Sequence, residues 1–260
     1  MKFLGIDLGW SSGSSGLCCL GWSSQQLKLL DLDRRQATTD ILSWVENCVS
    51  STEAAMIAVD APTLIPNAKG MRLPDRLTHQ YFGRYHAGCY PANLNRPFAQ
   101  RTVEFGLSLE KQGFAHAPAI SPKQSGRFQI EVYPHPATVH LFSLNRILKY
   151  KKGKLAQRRS ELIKLCQYIL NLLPTLEPTL NLSNSPININ LMYNALLEQM
   201  TTTGAALKVV EDQLDSLICA YIAAHWWYWG IERNWVLGNK AEGYIIVPAP
   251  SQRMHLNVGK

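Results

Sequence analysis

The stretch MKFLGIDLGWSSGSSGLCCLGW (residues 1–22) decides the fold. Its first apolar run, KFLGIDL at 2–8, carries a single carboxylate, Asp7, and then breaks into Gly9 and a Gly/Ser-rich turn before a second run, LCCLGW at 17–22. Two such runs joined by a flexible turn predict a β-hairpin, and QLKLLDL at 26–32 extends it to an antiparallel meander of three strands. A charge inside an apolar run is costly unless something binds it. Asp7 is therefore the first candidate for chemistry.

Working outward, TTDILSWVENCVS at 38–50 has apolar residues at helical spacing, with Thr39 or Asp40 able to cap its start. AAMIAVDAP at 54–62 reads as a buried strand whose far end carries Asp60. The order is then β-β-β-α-β, followed by a long irregular stretch over 63–100 with a helix at 74–84. Helix is expected again at 101–114, a strand at RFQIEVYP (127–134), a helix over HPATVHLFSL, and an amphipathic helix at 158–173. PTLEPTLNLSNSPININ reads as a polar connection or surface insertion. A strong helix follows at 209–230, and EGYIIVP (242–248) as a late edge strand. Strands alternating with helices predict an α/β layer architecture: one domain over 1–260, with insertions at roughly 63–126 and 149–205.

Composition excludes several classes. With 46% hydrophobic and 17% charged residues the chain has the makings of a packed core rather than a disordered tail. No run approaches the ~20 apolar residues of a membrane span, so no membrane partner is expected. The N-terminus lacks the long apolar core of a secretory signal, which points to a cytoplasmic protein. Six cysteines without a CxxC pair argue against structural zinc and for buried thiols. A net charge of +7 favours polyanionic partners such as nucleic acid.

Five acids stand at the ends of predicted elements: Asp7 and Asp60 on two strands, Glu131 on a third, and Asp212 with Asp215 three residues apart on one face, in the first turn of the last helix. Taken singly each has a plain structural reading. Asp7 suits an exposed turn, Asp60 an Asx-turn, Glu131 a pairing with arginine, and the helix acids the favourable N-terminal end of the dipole. Taken together they suit a pocket in which a hard divalent cation, Mg²⁺ or Mn²⁺, neutralises their repulsion and activates water against a phosphodiester.

The motifs GIDLG with its Gly/Ser turn, IAVDAP, EVYPHP followed by LKYKKG, and EDQLDSLICAYIAA resemble domain-of-unknown-function family 429, described as predicted RNase H-like nucleases. The resemblance spans Met1 to about Val247. It implies an RNase H-like five-stranded mixed sheet in the order 3-2-1-4-5, with helices on both faces. It also implies metal-binding acids from the first strand, the fourth strand and a late helix. Asp7, Asp60 and Asp215 match those positions, Asp212 adds a neighbour, and Glu131 would act behind the metal or bond Tyr133 or an arginine.

Basic residues supply candidate substrate contacts. Lys149, Lys151 and Lys152 lie in LKYKKGKLAQRR at 148–159, a run that suits phosphates or a solvated face equally. In the long loop Arg72 and Arg76, with Arg84, His86 and Arg96, could close over the acids, although Arg76 could equally pair with Asp75 or Glu131. The tryptophans of HWWYWGIERNW (225–235) suit core packing better than base stacking. The function expected is a metal-dependent nuclease or phosphodiesterase acting on nucleic acid. Two alternatives stand beside it: an actin-like phosphotransferase using ATP, which would need a second Asp-Gly loop that VDAPTLIP does not supply, and a catalytically silent nucleic-acid- or protein-binding module of the same fold.

Overall fold

The structure is a computed structural model of the chain, describing residues 1–10, 13–183, 185, 187–198 and 203–250. In chain order the elements are β1 (Lys2–Asp7), β2 (Ser15–Ser23), β3 (Gln26–Arg35), α1 (Thr38–Cys48), β4 (Ala55–Val59), α2 (Leu73–Phe82), α3 (Ala99–Lys111) and β5 (Ala115–His116). They continue with β6 (Arg127–Glu131), α4 (Pro134–Leu141), α5 (Leu155–Leu172), β7 (Leu180–Asn181), α6 (Ile189–Leu197), α7 (Gly204–Trp229), β8 (Asn234–Asn239) and β9 (Gly243–Pro248).

The main sheet runs β5-β6-β4-β1-β2-β3-β7. Its inner five strands, β3-β2-β1-β4-β6, reproduce the 3-2-1-4-5 order expected of an RNase H-like fold. The β1–β2–β3 meander is antiparallel, and β4 and β6 add in parallel to β1. Two-residue strands, β5 and β7, are appended at the two flanks. Beyond Lys28 no described strand covers β3; there Asp31 accepts a hydrogen bond from the Leu32 N–H at 2.9 Å and Asp33 one from the Arg34 N–H at 2.7 Å.

Strand alternation divides the core in two. One face carries Leu4, Ile6, Ile57 and Val59 against Ile41, Trp44 and Val45 of α1 and Phe105 and Leu109 of α3. The other carries Phe3, Cys18, Leu20, Met56 and Ala58 against α7 and α5. Trp226 and Trp227 are buried in this second layer, as their place on an apolar helix leads one to expect.

α7 lies directly on the backbone of β1 and β2, and glycine makes that possible. A Cβ on Gly5 would fall 1.9 Å from the Ser216 carbonyl oxygen, and one on Gly16 would fall 1.8 Å from that of Asp212. Both distances are far inside van der Waals contact, with rigid backbone on the other side. Gly16→Ala is therefore expected to push α7 outward and to cost about 1–3 kcal/mol, read from chemical denaturation.

Three boundaries differ from the sequence expectation. α7 begins at Gly204, where the Thr203 side chain accepts from the Ala206 N–H, so Asp212 and Asp215 stand well inside the helix rather than in its first turn. The good helix formers Ala205, Ala206, Leu207 and Lys208 extend it backward. The 174–190 segment contains the short strand β7 and opens α6, capped by Asn188 on the Asn190 N–H. β9 pairs with β8 in a separate antiparallel hairpin instead of edging the main sheet, joined to it by an isolated bridge, Val132 to Ile246, and by the Tyr244 hydroxyl, which donates to the Gln129 carbonyl of β6 at 3.1 Å.

Candidate metal centre

Asp7 and Asp60 are neighbours because β1 and β4 run parallel in register. Ile6 pairs with Val59, and the Asp60 N–H donates to the Ile6 carbonyl at 2.9 Å. Both carboxylates therefore emerge side by side at the C-terminal ends of adjacent strands, where ligands gather in α/β sheets. They line a cavity of about 810 Å³ together with Trp10, His86, Tyr133 and His135.

Asp215 reaches the same region from α7 and is fully buried. Tyr150 donates to its Oδ1 at 2.6 Å, and the Lys151 ammonium lies 2.8 Å from its Oδ2. That second contact is a charge contact without hydrogen-bond alignment, so Oδ2 is a buried acceptor with no hydrogen bond. Asp212 lines the cavity too, yet its charge is already answered: Arg34 Nε donates to Oδ2 at 2.8 Å and Lys208 Nζ stands 2.7 Å from Oδ1.

Glu131 takes a different place. It pairs in register with Val59, not Asp60, so it leaves the sheet on the opposite side and lines the same cavity from there, together with Arg72 and Asp75. There both its oxygens are taken by Arg72, at 2.7 and 2.8 Å, and the same guanidinium grips Asp75. Asp75 in turn accepts from the Arg72 and Ala92 N–H groups, tying the start of α2 to the loop after it. Arg72 is thus engaged within the fold rather than free for a substrate phosphate. Arg76 is exposed and donates to the Met71 carbonyl, away from the cavity lining. Neither of its expected carboxylate partners is its own; Arg72 holds both.

Of the three candidate lysines, Lys149 and Lys152 are exposed at the cavity mouth, and Lys151 turns inward among the acids. Sequence reasoning gave Lys151 to substrate and did not single out Tyr150. His135 is buried in the lining beside the Tyr133 and Tyr150 rings, and burial lowers its pKa to about 4, keeping it neutral. The available signal was the LKYKKG motif itself, whose Tyr and central Lys are the inward-facing pair.

The electrostatics are those of crowded acids. Burial pushes Asp7 up to about 7, with Lys151 opposing and Asp215 adding. Burial also drives Asp60 well above the usual carboxylate range, again against Lys151 and with Asp7 and Asp215 adding. Glu131 is pushed up to about 7 by burial in spite of Arg72. Lys151 is carried well above its ordinary value: burial works against its charge, but Asp215, then Asp7 and Asp60, outweigh it.

A carboxyl whose folded pKa exceeds its unfolded value binds more protons in the folded state, so rising pH destabilises the fold across that interval. For Asp7 and Glu131 the interval runs from about 4 to about 7. Metal-free protein is expected to lose thermal stability as pH rises through it, and Mn²⁺ to stabilise more at pH 7 than at pH 5, because ligands must be ionised to bind. Melting curves at the two pH values, with and without the ion, check both signs.

The donor set suits a hard divalent cation in kind: anionic oxygens from separate elements, with Asp215 Oδ2 and Asp212 Oδ1 each facing a lysine but lacking an aligned hydrogen bond. As the side chains stand, no three His, Cys, Asp or Glu groups among the described residues are close enough to hold a metal ion. A lysine stands against the innermost of them.

The sheet order and the helices on its two faces define an RNase H-like α/β protein. The model of the family described as "Protein of unknown function (DUF429)" matches residues 5–234, and the chain belongs to that family. No curated protein matches. Among solved structures the chain is similar to a human cytomegalovirus terminase nuclease domain, manganese-soaked and inhibitor-bound. The identity is 12%, the coverage 85% of this chain and 80% of that one, and the TM-score 0.32. No helix among the described residues is long and apolar enough to cross a membrane.

Proposed function

We propose that the protein is a divalent-metal-dependent nuclease or phosphodiesterase acting on nucleic acid, with a single RNase H-like domain and the 63–126 and 149–205 segments as insertions. The observation that carries this reading is the side-by-side emergence of Asp7 and Asp60 from parallel strands into one cavity, with Asp215 of α7 buried behind its wall against Lys151. Asp7, Asp60 and Asp215 would hold Mg²⁺ or Mn²⁺, which when bound supplies Lewis acidity and a water activated near neutral pH.

The remaining roles belong to the chain. Lys149 and Lys152 at the cavity mouth draw in phosphates, a sequence-independent attraction that weakens with salt. Tyr150 fixes the orientation of Asp215 through its 2.6 Å hydrogen bond. Arg34 and Lys208 hold Asp212 in the wall, and Arg72 immobilises Glu131 and the α2 loop behind it.

The test is cleavage of a panel of single- and double-stranded DNA and RNA in Mn²⁺ or Mg²⁺, with a chelator as control. Cleavage that disappears with chelation is the expected result. A protein that binds nucleic acid in a salt-dependent manner but cleaves nothing in the panel would overturn the enzymatic reading in favour of a binding module.

A further inference from the structure

The cavity is larger than a phosphate and its contacts require. At about 810 Å³ it has room for a whole small ligand, and much of its wall is apolar: Trp10, Tyr90, Tyr133 and Ile147 line it along with Asp7 and Asp60. Tyr90 is 58% exposed, yet the backbone around it is pinned. The Cys89 carbonyl accepts from His79 Nε2 at 2.9 Å, and the Ala92 N–H donates to the buried Asp75 at 2.9 Å. The Arg96 guanidinium lies over the Tyr90 ring, 5.0 Å from its centroid. A large exposed ring on a fixed backbone loses little freedom when a ligand covers it.

Trp10 follows Asp7 by three residues. Its ring rests on the buried Phe98, with centroids 4.4 Å apart, and meets Tyr90 at 6.3 Å with 72° between the planes. The two rings thus form a corner in the cavity wall. A flat heterocycle laid parallel to one of them meets the other edge-on, and these are the two arrangements aromatic pairs prefer. Among the described residues no aromatic ring is stacked parallel on either.

Charge selects the kind of flat molecule. Lys149 and Lys152 stand exposed at the mouth of the same cavity. The Ile147 N–H donates to the Tyr85 carbonyl at 3.0 Å, which ties the lysine segment to the loop that leads to Tyr90. Aromatic planes beside lysines suit unpaired bases and their phosphates. A duplex keeps its base faces covered by its own stacking.

Resting on the nucleic-acid reading above, we infer that the Trp10–Tyr90 corner holds an unpaired nucleobase, so that the substrate class is single-stranded polynucleotide. The base lies on Tyr90 with Trp10 against its edge, and the neighbouring phosphates meet Lys149 and Lys152. The corner selects a free base face rather than a base identity, because every base has one.

The experiment measures binding by fluorescence anisotropy, in chelator and at fixed salt, so that no metal enters the result. The probes are a short labelled single strand, the same strand annealed to its complement, a strand of equal length built from abasic sugars, and a mononucleotide as competitor. Wild type is expected to hold the single strand at least about tenfold tighter than the duplex or the abasic strand, the order expected for one base–aromatic contact. Tyr90→Leu is expected to lose about tenfold on the natural strand and nothing on the abasic one, and Tyr90→Phe to keep the wild-type affinity. The abasic strand reads the contact on unaltered protein, so a variant that fails to fold leaves the test standing.

Equal affinity for natural and abasic strands would overturn the inference. So would a duplex bound as tightly as the single strand, or a folded Tyr90→Leu that matches wild type. A mononucleotide bound as tightly as the strand would overturn the assignment to a polymer. Failure to bind any strand or duplex would bring down the nucleic-acid reading and this inference with it. The expected binding pattern without cleavage in the panel above would refute the nuclease reading alone and leave the base site in place.

Discussion

Asp7→Asn is expected to lower manganese-dependent cleavage by about a thousand-fold or more while leaving the fold intact. Asp7 is one of only two acids that emerge together from β1 and β4, and Asn keeps its shape while removing its charge. At about 1.4 kcal/mol per factor of ten, a loss of that size is about 4 kcal/mol of transition-state stabilisation, reasonable for one anionic ligand of a catalytic ion. Asp60→Asn and Asp215→Asn should behave alike. Glu131→Gln should not, since both Glu131 oxygens are committed to Arg72 on the other face. The expected split is a collapsed kcat for the three aspartates with a near-normal kcat for folded Glu131→Gln. Because burial holds the Asp7 carboxyl near 7, removing its charge should also raise the melting temperature of metal-free protein at pH 8. Lost activity without that gain would point to misfolding; unchanged activity would place the chemistry elsewhere.

Arg72→Met is expected to destabilise the protein by about 3–5 kcal/mol, the usual cost of removing one partner from a buried ion pair. The guanidinium is almost fully enclosed, with two carboxylates and the Leu64 carbonyl around it. Without it Glu131 and Asp75 face each other uncompensated. For a chain of this size the loss corresponds to a fall of about 10 °C in Tm. Adding Glu131→Gln to Arg72→Met should recover part of it, since the second change removes one stranded charge; equal melting temperatures for the single and double variants would deny the coupling. The deficit should also widen as pH rises past about 7, where Glu131 loses its proton beside Arg72 in the wild type but keeps it without that partner. This cluster is a brace for the loop that walls the cavity, distinct in effect from the aspartates in front of it.

The meander and the positions of Asp7 and Asp60 were legible because period and punctuation coincide there, whereas the order of the inner strands came from the family resemblance alone. Apolar runs stop at a carboxylate and then at glycine or proline, and parallel register does the rest. Asp215 was legible as a helix residue, but its depth was not. The close approach that buries it depends on Gly5 and Gly16, which in the sequence look like ordinary strand interruptions. Glu131 lines the same cavity, but its parity was not legible from its place near a strand end: it pairs with Val59 rather than Asp60 and takes Arg72 as its partner, the arginine pairing the sequence allowed. Lys151 was found for its charge and given the outward role that most basic runs have. Its inward turn is a tertiary outcome, decided by Tyr150 reaching Asp215. α6 was hidden by asparagines that read as a loop until Asn188 proves to be a cap.

The outer margin of β3 has a consequence for behaviour at high concentration. An uncovered strand end is an invitation for a neighbouring polypeptide to add itself by backbone pairing. Here the donors of Leu32 and Arg34 are occupied by the chain's own Asp31 and Asp33, and two-residue strands close off what lies at either flank. An incoming strand would have to break those bonds and sit against carboxylates that prefer water. The sheet is therefore poorly suited to templating fibrils.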